Sequence, residues 1–140
     1  MYRQVQPANV EQHWALVAPW IAQAIGGSDS WKDIDEIKKL CIDGSAHIFI
    51  GYDLQNEIDV VLVTETWMFD GRKTLVLRWL AGKNMNQWFQ DYDVLEAWAA
   101  GLGFQDVHIW GRPGFVKMCK PLGFRHEFTV ISKPIMRGLQ

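Results

Sequence analysis

A chain of 140 residues that is 49% hydrophobic and 21% charged can enclose a core without disulfide or metal staples, and it is too apolar for disorder. Its 14 basic and 16 acidic side chains are interspersed and leave a net charge of −2, which excludes the basic field of a general nucleic-acid binder. Two cysteines exclude a secreted disulfide framework, and the lack of a long apolar run or of a basic-then-apolar start sets the expectation of a cytoplasmic protein with no membrane span.

One domain spanning 1–140 is expected, without internal repeat or linker. Tyr2 to Val5 reads as a short strand. Asn9 with Gln12 matches a capping box, and Val10, Trp14, Val17, Ile21 and Ile25 recur at helical spacing. A first helix should therefore run toward Gly26 and Gly27, with a kink or restart near Ala18 because Pro19 removes a hydrogen bond. Ser30 and Asp33 form a second capping pair ahead of the stripe Ile34, Ile37 and Cys41, and Gly44 closes that helix.

After Gly44 the period changes. "AHIFIGYDL", "IDVVLVTETWMF" and "KTLVLRWLAG" are β-branched and aromatic runs separated by "QNE" and "DGR", so three consecutive antiparallel strands are expected. From Met85 the helical period returns, with Trp88, Phe89, Tyr92, Leu95, Ala99 and Leu102 on one face and Gly101 and Gly103 at the end. "DVHIW" reads as a strand, "PGFVKMCK" as a short helix entered through Pro113, and "HEFTVIS" as a last strand. The order predicts a mixed α/β (α+β) plan in which helices cover a central, mostly antiparallel sheet.

Some residues carry chemistry in their own right. On "IDVVLVTETWMF" alternate residues share a face, which puts Glu65 with Val61, Val63 and Trp67. Apolar surroundings raise a carboxyl's pKa, as a general base requires, whereas a frayed strand end would leave Glu65 solvated. A helix N-terminus entered through a glycine loop binds anions on its exposed N–H groups, and Gly82, Lys83 and Asn84 open the long helix in this way; a plain connecting loop with an exposed lysine has the same sequence. His13, His47, His108 and His126 have no metal-ligand spacing, so no metal is expected. The tryptophans build core, with Trp67, Trp79, Trp88 and Trp110 expected around one cleft.

Two patterns, "TLVLRWLAGKNMNQWFQDY" and "VKMCKPLGF", resemble the GCN5-related N-acetyltransferase (GNAT) family, and with "WGRPGF" and "LEAWAAGLGF" they look closest to small acyltransferase-like proteins of phages and prophages. The resemblance implies helices on both faces of the sheet and central parallel strands, around Leu77 and Ile109, that splay apart after Leu80 and before Gly111. Acetyl-coenzyme A would lie between them, its pyrophosphate on the loop of residues 82–86, with Leu80, Ala81, Gly82, Lys83, Asn84, Met85 and Asn86 as coenzyme-binding residues. Arg112 stands where the family often has asparagine, and either binds the coenzyme or an acidic acceptor or caps the preceding strand. Cys119 occupies the position, four residues before Gly123, where many members carry a proton-donating tyrosine. A thiol titrating around pH 8.5 can serve as an acid, and a buried cysteine can equally be inert packing.

The activity implied is transfer of an acetyl group from acetyl-coenzyme A to an amine on a small molecule or a protein, with Glu65 as base and Cys119 as candidate acid. A homo-oligomer is compatible with this. The alternative is a family fold that has lost its chemistry and serves as a binding or structural subunit, for example of a phage particle.

Overall fold

The computed structural model describes residues 2–26, 33–83, 85–111 and 114–135. Five strands, β1 (Tyr2–Val5), β2 (Ala46–Tyr52), β3 (Ile58–Phe69), β4 (Arg72–Gly82) and β5 (Asp106–Ile109), lie side by side in chain order. The first three pairings are antiparallel and β4 with β5 is parallel, so the sheet is mixed, as the sequence predicts. β3 and β4 are joined by the two-residue turn Asp70-Gly71. Both residues have positive φ, 51° and 75°, the backbone that a tight hairpin turn demands.

Helices α1 (Val10–Gly26) and α2 (Ile34–Asp43) cover one face of the sheet, and α3 (Met85–Gly101) and α4 (Gly114–Cys119) the other. The division follows strand alternation. Ile48, Ile50, Val61 and Val63 pack with Val17, Ile21, Ile37 and Cys41, while Phe49, Leu62, Leu75 and Leu77 pack with Trp88, Tyr92, Leu95 and Ala99. The side chain of Phe89 lies outside what is described.

Three expectations change. α1 is continuous through Pro19, with no restart at Ala18. Pro19 is exposed, and the buried stripe Val10, Val17 and Ile21 holds both halves of the helix against the sheet. The N-cap of α2 is Asp33 itself, whose carboxylate accepts the Glu36 N–H at 2.8 Å; Ser30 lies outside the described residues. Gly44 closes this helix in the left-handed conformation, φ 85°.

The third change is at the C-terminal end. "HEFTVIS" is not a strand: residues 125–135 join no ladder and are exposed. Phe128, half exposed, meets the His108 ring edge-on at 6.1 Å. A β-branched run without a ladder partner has no period to enforce. β5 is therefore an edge strand of the described sheet, not a central one.

β4 carries a bulge. Val63 faces Trp79 and Thr64 faces Leu77, so Arg78 is an extra residue that the register skips. Without the bulge Trp79 would lie on the face opposite to Val63, and with it Trp79, Ala81 and Val76 share the α1 face.

Candidate active site

The parallel pairing of β4 and β5 runs from Thr74–Asp106 to Leu77–Ile109, with the Trp110 N–H donating to the Leu77 carbonyl at 3.1 Å as its last rung. β4 continues to Gly82, bonded on its other side to β3. Over residues 78–82, alternate N–H and C=O groups of β4 therefore turn toward the opening that β5 leaves. The pairing thus ends at Leu77, three residues before the splay expected after Leu80.

Glu65 lies opposite Val76, one rung from that opening, on the α1 face. It is buried and bound by its neighbour across the hairpin: Arg78 Nε donates to Glu65 Oε1 at 2.7 Å, and both side chains are 8% exposed. The bulge that inserts Arg78 is what brings it to Glu65. The guanidinium is also flanked by two rings, 4.6 Å from the Trp79 centroid and 4.7 Å from that of Trp110. Trp110 in turn meets Trp67 at 5.2 Å, and Phe69 stacks on His108 at 5.0 Å. Glu65 is thus neither alone among apolar groups nor solvated at a frayed end. It is the acidic member of an Arg-centred aromatic cluster.

Arg78 was not singled out as a site residue from sequence. Its signal is a charge within the apolar run "TLVLRWLAG", where alternation would place either a core or a surface residue and only a bulge places an ion-pair partner.

Cys119 lies on the other face. It ends α4, is 1% exposed and packs in the cluster of Trp88, Tyr92 and Leu95. Burial pushes its thiol pKa up. Tyr92 beside it is also pushed up, first by burial and then by Glu96, to which its hydroxyl donates at 3.3 Å. Trp88, expected at the cleft, is fully buried in this same cluster, whereas Trp67, Trp79 and Trp110 do gather around Arg78.

In the loop, Leu80 is half-buried opposite Leu62 and Ala81 is buried opposite Val61. Gly82 is tight for a reason other than ligand approach: a Cβ there would meet the Asp59 carbonyl oxygen and the Val60 side chain at 3.2 Å. Lys83 is exposed, its N–H is donated to the same Asp59 carbonyl at 2.9 Å, and its ammonium stands 6.0 Å from the Trp20 ring. α3 opens directly afterwards, at Met85. Asn84 and Arg112 lie outside the described residues, as do the side chains of Met85 and Asn86. Among the described residues no group of three His, Cys, Asp or Glu could hold a metal ion.

No protein-family model and no curated protein matches the sequence. Solved structures do. A probable acetyltransferase is 12% identical over 99% of both chains with a TM-score of 0.70. The aminoglycoside acetyltransferase meta-AAC0020 from an uncultured soil metagenomic sample, in complex with trehalose, is 12% identical over 99% of this chain and 96% of its own, with a TM-score of 0.66. The fold is that of the GNAT acetyltransferases. A predicted acetyltransferase from Clostridium acetobutylicum with acetyl-CoA shares the GNAT fold with this chain at a TM-score of 0.66 and 10% identity, over 100% of this chain and 99% of that one. The closer likeness to phage-encoded proteins gains no support from these neighbours. No described helix is long and apolar enough to cross a membrane.

Proposed function

We propose that the protein transfers an acetyl group from acetyl-coenzyme A to an amine. The observation that carries this reading is the opening between β4 and β5, lined by five residues of β4 backbone that β5 does not pair, with Glu65 one rung away. Backbone groups turned into such an opening fit a donor that is held by hydrogen bonds along an extended arm. The donor supplies a thioester, whose carbonyl carbon bonds to the amine nitrogen while the bond to sulfur breaks.

Within this reading Arg78 fixes the Glu65 carboxylate by an ion pair and by its own position between two rings. Glu65, directly or through a water, takes the proton that the amine sheds on attack. Cys119, buried with its thiol pKa raised, is packing, and the coenzyme thiolate takes its proton from water. Lys83, exposed beside the start of α3, supplies charge near the pyrophosphate.

Two features favour a second reading, a GNAT-fold binding or structural subunit without chemistry: Glu65 is held by Arg78, and Cys119 is shut away on the opposite face. Calorimetry with acetyl-coenzyme A, followed by an assay of coenzyme thiol release over a panel of polyamines, aminoglycosides and peptide N-termini, separates the two. Saturable binding with amine-dependent thiol release that falls in Glu65→Gln supports catalysis. Binding without release points to the second reading, and the absence of binding overturns the first.

A further inference from the structure

Three strands away from β4, at the opposite edge of the sheet, β1, β2 and the entry to α1 line an open pocket of about 230 Å³, with Arg3, Gln6 and Asn9 exposed at its rim. At the usual strand spacing this is on the order of 14 Å from the acetyl-transfer opening, so the two are separate. The floor is apolar, made by the buried Val5 and Ile50 on the face toward α1. The walls are polar, and among the lining residues none is acidic.

Arg3 stands opposite Ile50 with its guanidinium 5.4 Å from the Tyr52 ring centroid, which holds a cation at the cavity wall. Among the described residues no carboxylate is ion-paired with Arg3; the ion pairs are made by Lys38, Arg72, Arg78 and Arg125. The amides of Gln6 and Asn9 also line the space. His13 donates Nδ1–H to the Asn9 carbonyl at 2.9 Å, which leaves its Nε2 as an acceptor for a ligand hydroxyl.

A guanidinium fork without an acid, two amides and one acceptor, over an apolar floor, are complementary to an oxyanion that carries a hydroxyl. The volume lies below the roughly 300 Å³ at which sites for larger small molecules begin, and limits the ligand to a handful of heavy atoms. We propose that this cavity binds a small hydroxylated oxyanion, hydrogen phosphate or a 2-hydroxycarboxylate, clamped by Arg3 and independent of the acetyl-transfer site.

The test is a titration of the full chain, followed by two-dimensional amide NMR, with inorganic phosphate, with lactate and with chloride at matched ionic strength. Saturable shifts confined to residues 3–13 and 50–52 are expected with phosphate or lactate and not with chloride, and the arm that saturates identifies the group bound. Arg3→Gln should weaken that binding roughly tenfold or more, as loss of a charge-assisted pair does. Should Arg3→Gln disturb the spectrum as a whole, Asn9→Ala carries the same test. Shifts that only grow in proportion to concentration, an equal response to chloride, or undiminished binding by the folded variant would overturn the proposal.

Discussion

Replacing Arg78 by methionine removes the guanidinium from a buried carboxylate and should destabilise the protein by about 3–5 kcal/mol, the cost of breaking a buried pair from one side. Urea unfolding measures it, and the double variant with Glu65→Gln should cost less than the sum of the two single changes. Cys119→Ala should lower stability by about 1 kcal/mol and leave turnover within about twofold of the parent. A rate loss of a hundredfold or more, in a variant of unchanged melting temperature, would instead make that thiol the acid.

Cys41 gives a pH dependence. Burial first, then the nearby Asp43 and Glu65 charges, push its thiol from 9.0 up to about 12. Above pH 9 the unfolded chain releases this proton while the folded one keeps it. The contribution is therefore whole below about pH 9 and declines between about 9 and 12, by at most about 1.4 kcal/mol per pH unit. Unfolding at about pH 8 and about pH 11 should show the stability gap between the parent and Cys41→Ala narrowing at the higher pH. The raised groups at Cys119 and Tyr92 act equally on both proteins and cancel in that comparison.

At the level of elements, Gly82→Val is expected to lower stability by about 1–3 kcal/mol, because the added carbons press on the Asp59 carbonyl and Val60 where the β3–β4 ladder ends. Thermal unfolding reads the effect, and it should appear without any ligand present. Asp33→Ala should cost about 1 kcal/mol through the lost cap on α2. The strands β2, β3 and β4 were legible because their hydrophobic runs exceed six residues and are broken by turns with the right backbone chemistry. "HEFTVIS" has the same composition and no ladder, since a strand also needs an edge to pair with, which composition does not report. At Pro19 the restart that local propensity allows does not occur, since burial of Val17 and Ile21 on either side of it holds the helix continuous. The bulge at Arg78 was illegible because "TLVLRWLAG" is apolar on both faces, so its pattern reads the same with or without one residue looped out.

Across the whole molecule, β3 has a neighbour on both sides from Val60 to Glu65 and helices on both faces, whereas β1 and β5 are edges of the described sheet. Amide hydrogen exchange should therefore be slowest at Val61 to Val63 and faster at residues 107–109. The sequence placed Glu65 and Cys119 in one site through family resemblance. The fold puts them against opposite faces of the sheet, since residue 65 alternates with Val63 and residue 119 ends a helix on the far side.

The bulge also decides where β4 tolerates a change of length. Loss of one residue elsewhere in a regular strand turns every side chain beyond it to the wrong face. Loss of Arg78 would instead leave Leu77 and Trp79 as consecutive rungs, still opposite Thr64 and Val63, with every face preserved. A chain of 139 residues lacking it should keep the sheet's register and lose the Arg78–Glu65 ion pair. Residue 78 is thus a position in β4 that the ladder register skips, and it reaches Glu65 through its side chain.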